Sequence, residues 1–161
     1  MKRSGIYKPL RDRAKEKLPC LKFVDLQKGQ MANPTQNYPI PLPALFVEIG
    51  DIRFSNLLEH QQKGDGIISF YLYLNLVSDS FKGAEQENQT IEILDRFDDL
   101  FEAFEGFSIP NLTPLVRSQE YKPQYGKQFI MFRIDFTTTI DDGKDITQKT
   151  AEKPTPNFKF Q

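Results

Sequence analysis

The sequence predicts an α+β fold: a mostly antiparallel sheet of four or five strands, with one long central strand and helices packed on one face. Two alternating runs and one amphipathic run carry that prediction. Ile68, Phe70, Leu72, Leu74 and Leu76 fall on one side of an extended segment, with Ser69, Tyr71, Tyr73 and Asn75 on the other. Ile130, Phe132, Ile134, Phe136 and Ile140 alternate in the same way with Met131, Arg133, Asp135, Thr137 and Thr139. Between them Ile93, Leu94, Phe97, Leu100, Phe101 and Phe104 recur at steps of three and four, the period of a helix lying on a sheet.

The remaining elements follow in chain order. Ile6, Leu10, Ala14 and Leu18 make a narrow apolar stripe through a charged segment, which predicts a short helix over 6–18 stopped by Pro19. Leu21, Phe23, Val24 and Leu26 suggest a brief strand. Pro34, Pro39, Pro41 and Pro43 then impose an extended path up to a strand over 44–49, where Leu45, Val47 and Ile49 oppose Phe46 and Glu48. Gly50, Asp51, Gly64, Asp65 and Gly66 mark 50–66 as loop, with a small edge strand at Ile52 and Phe54. Thr90 is the expected N-cap of the second helix, and Gly106 stands just past its end. Leu112–Tyr121 reads as an edge strand because it carries Pro114, Arg117 and Glu120. Gln124–Lys127 turns it into the last strand as a hairpin. Residues 1–141 therefore form a single α+β domain, and 142–161 a polar C-terminal tail expected to be flexible or to order only on assembly.

Composition restricts the function. Fourteen Phe and six Tyr without Trp supply a Phe-rich core, while 21 basic against 22 acidic residues give a net charge of -1. Such a balance offers no general field for a phosphate backbone, so direct nucleic-acid binding is not expected. One cysteine cannot form an internal disulfide, and neither a secretory leader nor a membrane-spanning run is legible, so an intracellular, membrane-free chain is expected. The balance conceals an asymmetry. Residues 1–22 hold Lys2, Arg3, Lys8, Arg11, Arg13, Lys15, Lys17 and Lys22 against Asp12 and Glu16, whereas residues 85–105 hold Glu85, Glu87, Glu92, Asp95, Asp98, Asp99, Glu102 and Glu105 against Arg96 alone.

Catalysis finds no foothold. Asp95, Asp98, Asp99 and Glu102 share a helical face and resemble a divalent-cation site, but a solvated face opposite a Phe stripe explains them better. Asp141, Asp142, Gly143 and Asp145 lack the spacing and terminal Glu of a Ca²⁺ loop. His60 is the single histidine, in a polar stretch that suits the surface, and Cys20 is expected to be a buried structural thiol. No phosphate-loop, nucleophile-elbow or metal-ligand spacing occurs, so no cofactor and no catalytic residue is expected. Tyr71 and Tyr73 form an aromatic pair without flanking Lys or Arg. Packing against a helix or a neighbouring subunit is therefore favoured over stacking on nucleic-acid bases. Phe158 and Phe160, alternating in a polar tail, could add a strand to another copy's sheet edge.

The order of segments resembles small prophage proteins of the tail-terminator or head-tail joining type. The resemblance rests on the proline-rich approach Tyr38-Pro39-Ile40-Pro41-Leu42-Pro43 to the strand Ala44–Ile49 and on the glycine-led long strand from Gly64 to Leu76. The helix from Ile91 to Phe104 and the closing hairpin from Leu112 to Asp141 complete it, so that it spans most of 6–141. It implies a non-enzymatic subunit of a ring, often of six copies, that caps a phage tail tube or joins it to the head. Its partners would be copies of itself and a tail-tube or head-completion protein. Its place would be the cytoplasm of the bacterial host during assembly and then the virion tail. A head-to-tail ring would give the charge asymmetry a use, with Arg11, Arg13, Lys15 and Lys17 facing Asp95, Asp98, Asp99 and Glu102 of the next copy, and with Tyr71, Tyr73, Phe158 and Phe160 as further interface residues. The competing expectation is a monomeric protein-binding adaptor or secretion-system module; a metal-dependent hydrolase comes third.

Overall fold

The computed structural model describes residues 2–32, 39–58, 61–77 and 81–141. Two helices and six strands follow one another as α1 (Ser4–Lys17), β1 (Phe23–Leu26), β2 (Ala44–Leu58), β3 (Gln61–Asn75), α2 (Glu87–Phe104), β4 (Val116–Glu120), β5 (Gln124–Tyr125) and β6 (Phe129–Asp141). One sheet takes all six strands in the order β1-β2-β3-β6-β4, and β5 also pairs with β6. β1 runs parallel to β2 and every other pairing is antiparallel, so the fold is α+β as expected, with one strand more and a mixed sheet.

Both helices lie on one face of the sheet. Ile6, Leu10 and Ala14 of α1, and Leu100, Ala103 and Phe104 of α2, are buried against Leu45 and Val47 of β2, Ile68, Phe70 and Leu72 of β3, and Phe132, Ile134 and Phe136 of β6. These are the inward positions given by strand alternation. α1 packs on the β1 and β2 half. α2 covers the other half, where Phe97 stacks on Phe132 at 4.8 Å and the Arg117 guanidinium sits 3.8 Å over the Phe101 ring. Pro9 lies inside α1, where it leaves the Gly5 carbonyl without its intrahelical donor, yet the buried stripe carries the helix through to Lys17.

The opposite face has its own small cluster. Ala44, Phe46, Tyr73 and Met131 are buried under Met31, Ile40 and Leu42 of the connection from β1 to β2. That connection enters β2 through a cis Leu42–Pro43 bond, and Pro43 accepts a hydrogen bond from the Lys22 amide at 2.9 Å.

Several boundaries differ from expectation. The strand expected over 112–121 is confined to Val116–Glu120, with Leu112 making only an isolated bridge to Ile140. Gln124–Tyr125, expected within a turn, pair with β6 as β5. Two further differences are larger. Residues 50–58 and 61–66 are strand, with β2 and β3 paired antiparallel from Ala44↔Tyr73 to Leu58↔Gln61 and an irregularity between Ile49 and Ile52. The glycines there supply room. A Cβ on Gly64 would stand 2.7 Å from both Ile52 Cγ2 and Phe54 Cε1, so the Phe54 ring occupies the space a side chain would need. Gly64→Val is expected to cost about 1–3 kcal/mol by overpacking, read as a lower urea midpoint at constant m-value; an unchanged midpoint would refute this reading.

The second helix starts at Glu87, with Gln86 as its N-cap and Thr90 already inside its first turn. Asn88 and Gln89 carry no apolar stripe to betray that turn, whose Glu87 carboxylate accepts the Gly83 amide at 2.7 Å. At the other end Gly106 has φ +70, as a helix terminator should, and its amide donates to the Leu115 carbonyl at 2.8 Å. Leu94 and Leu76, expected on the inner face, are exposed. Cys20 is half-buried rather than enclosed.

Candidate functional site

Alternation on β2, β3 and β6 places Glu48, Ser69, Tyr71, Arg133 and Asp135 together on the face away from the helices. The register sets Tyr71 opposite Arg133 and Ser69 opposite both Glu48 and Asp135. Arg133 forks onto Asp135 through Nε at 2.9 Å and Nη2 at 3.0 Å, the bidentate geometry of a strong ion pair. Its guanidinium lies between two rings, 4.3 Å from the Tyr121 centroid and 5.2 Å from that of Tyr71. The Tyr121 hydroxyl donates to Asp135 at 2.9 Å, and that of Tyr71 donates to the Glu48 carboxylate.

Burial works to raise the pKa of Asp135, whose side chain is only 5% exposed. Hydrogen bonds from Arg133, Ser69 and Tyr121, with the Arg133 charge, outweigh burial and hold the carboxyl below its ordinary value. Tyr71 is pushed up, first by burial and then by its bond to Glu48. Every member of the strip has a partner. Such an arrangement stiffens the sheet and holds no nucleophile or base aimed at an open position.

The charged residues expected at an interface divide into two groups. Arg13 is engaged within its own chain: Nε donates to the Ala103 carbonyl at 2.9 Å and the guanidinium sits 5.1 Å over the Phe107 ring, tying α1 to the end of α2. Lys17 pairs with Glu16 at 3.3 Å, Arg11 with its neighbour Asp12 at 2.8 Å, and Asp99 with Arg96 at 3.3 Å. Lys15, Asp95, Asp98 and Glu102 are exposed and form no ion pair among the described residues.

Position on each helix matters as much. With Ile6, Leu10 and Ala14 facing the core, Arg13 falls on the flank towards α2, and Lys8, Arg11 and Lys15 fall away from it, on the side of Tyr7, which feels the charge of Asp25 in β1. Asp95, Asp98 and Glu102 share the outward side of α2. The helical layer is therefore basic over the β1 margin of the sheet and acidic over the β6 and β4 half.

Tyr73 is not available to a neighbour. It is 7% exposed, edge-on to Phe46 at 5.5 Å and to Phe129 at 5.1 Å, because its own chain folds a second layer over that end of the sheet. Tyr71 is half-buried in the polar strip. Phe158, Phe160, His60, Asp142 and Asp145 lie outside the described residues. Among the described residues no three His, Cys, Asp or Glu side chains are grouped to hold a metal, and no helix is long and apolar enough to cross a membrane.

Sequence reading missed two features. The strip was legible only as the alternation Arg133, Asp135 beside Ser69, Tyr71, since Tyr121 joins it from a different segment. The other feature is an open apolar groove of about 360 Å³ between the first turns of α2 and the β5 corner, lined by Leu76, Ile93, Leu94, Tyr125, Ile130 and Phe132.

No protein-family model matches the chain, and no curated protein matches it. Among solved structures, a protein designated by a number alone aligns at 18% identity over 86% of this chain and 92% of its own, with a TM-score of 0.40. A likeness at that level carries no argument about function.

Proposed function

We propose that the chain is a non-enzymatic subunit of a ring that terminates a phage tail tube or joins it to the head, built by head-to-tail contact between copies. The observation that carries this reading is the separation of charge across the sheet: outward basic side chains on α1 over one margin, outward acidic ones on α2 over the other. A two-fold dimer must match a patch with itself, whereas a ring joins two different patches. The two margins of a five-strand order stand about 20 Å apart, far enough to face different neighbours. Among the described residues the edge strands β1 and β4 pair on one side only. The order of segments, similar to that of tail-terminator proteins, supplies the phage context.

The contact is narrower than the sequence suggested. Lys15 faces Asp95, Asp98 and Glu102 of the next copy, joined by Arg11 as it exchanges the exposed Asp12 of its own chain for them, while Arg13 and Asp99 serve their own chain. Exposed pairs of this kind select partner and register more than they add affinity. Arg11→Glu with Lys15→Glu is expected to abolish concentration-dependent rings in light scattering after size exclusion. Mixing that variant with Asp95→Lys, Asp98→Lys protein should restore mixed rings. Raising salt should weaken the wild-type assembly. Rings that survive the double reversal unchanged would sink the proposal.

A further inference from the structure

The apolar groove beside the start of α2 has no cover among the described residues, and the chain carries a segment whose chemistry matches it. Leu94 is 56% exposed and Tyr125 71%, and both stand over a cavity floor formed by Ile93, Ile130 and Phe132. Ile91, 50% exposed, lies one turn before Leu94 and extends that apolar surface. Isolated exposed apolar residues need no explanation, but several converging on one concavity mark a binding surface. Its rim is acidic. Asp95 and Asp98 follow Leu94 on α2, are exposed, and lack an ion pair among the described residues.

We infer that this groove receives the chain's own segment Lys153–Gln161, with Phe158 and Phe160 seated on Leu94, Tyr125 and Ile130, and Lys159 directed to the acidic rim. Residues 153–161 contain Lys153 and Lys159 and no acidic side chain, so the segment opposes the rim in sign as well as filling an apolar groove. Reach permits it. The groove lies at the Ile130 end of β6, roughly 36 Å along the strand from Asp141, and the sixteen residues 142–157 can span on the order of 50 Å when extended. Tethering favours the intramolecular event, since a linker of this length holds the segment at an effective concentration of roughly millimolar. This inference does not rest on the ring reading: Asp95 and Asp98 border both surfaces, but the apolar lining at Leu94, Ile130 and Phe132 belongs to the groove alone, and the accessibility of Leu94 is read separately from assembly.

The test uses the full chain with Cys20→Ser, and Leu94→Cys as a reporter on an already exposed position. Alkylation of that thiol by a maleimide is expected to speed up about tenfold when Phe158→Ser and Phe160→Ser are added, as for a site covered roughly nine-tenths of the time. Lys159→Glu should give a smaller increase that high salt reproduces. A cysteine at Ile67, on the other exposed part of the sheet, should react at the same rate with or without the tail substitutions. In a second arm, oxidising the Leu94→Cys, Phe160→Cys chain should give a closed monomer on a non-reducing gel. No acceleration at Leu94→Cys, equal acceleration at Ile67→Cys, or a disulfide-linked dimer in place of the monomer would each overturn the inference.

Discussion

Replacing Phe70 by alanine is expected to destabilise the protein by about 3–5 kcal/mol, the range for emptying a fully enclosed aromatic site. Phe70 has no exposed surface, stacks on Phe104 at a centroid distance of 4.0 Å and meets Phe136 edge-on at 5.7 Å. It is the point where β3, α2 and β6 all touch, so its removal leaves a cavity that none of them can close without leaving the others. Against a total stability of roughly 5–15 kcal/mol for a domain, that loss should bring the urea midpoint down severely. The contrasting substitution is Phe81→Ala. That ring is 68% exposed, and its loss should shift stability by no more than about 0.5 kcal/mol. Comparable midpoints for the two variants would mean that the Phe70 cluster does not organise the core.

Removing the Arg133 guanidinium should cost about 2–3 kcal/mol at neutral pH, because it leaves the enclosed Asp135 carboxylate charged and without its cation. The sign of the pH dependence follows from the direction of the shift. Asp135 has a folded pKa below its unfolded value, so the native state binds this proton less readily than the unfolded chain. The resulting stabilisation is fully present above the unfolded pKa of about 4 and disappears as pH falls through the folded pKa. Wild type should therefore lose stability below about pH 4 by this route. Arg133→Met should be most damaging at about pH 7 and approach wild type in acid, and adding Asp135→Asn should restore part of the loss at neutral pH. A penalty for Arg133→Met that stays constant from about pH 7 to about pH 3 would show that the arginine acts through its packing on Tyr71 and Tyr121 instead.

Much of the fold was legible because its inner face obeys simple periods. Ile68, Phe70, Leu72 and Leu74 point where alternation puts them, as do Ile130, Phe132, Ile134 and Phe136. The stripe Leu100–Phe104 and the stop at Gly106 likewise follow from local chemistry. Where reading failed, the missing information lay on another strand. Gly64 and Gly66 look like loop residues until Ile52 and Phe54 are found across them. Leu94 fits the helical stripe by spacing, yet it is exposed and lines a groove with Leu76 and Tyr125 instead.

The residues expected at an interface divide on the same line. Composition and order along the chain alone determine that α1 is basic and α2 acidic, that Phe fills the core and that strands alternate, because each depends on neighbours a few positions away. Only the tertiary structure decides that Arg13 is spent on the Ala103 carbonyl while Arg11 and Lys15 face outward, and that Tyr73 is sealed beneath the β1–β2 connection while Tyr71 joins a polar strip. Those outcomes depend on which distant segments the sheet order brings alongside. One charged or aromatic side chain has the same local sequence character whether its partner is solvent, its own chain or another copy, so only the packed structure separates the three.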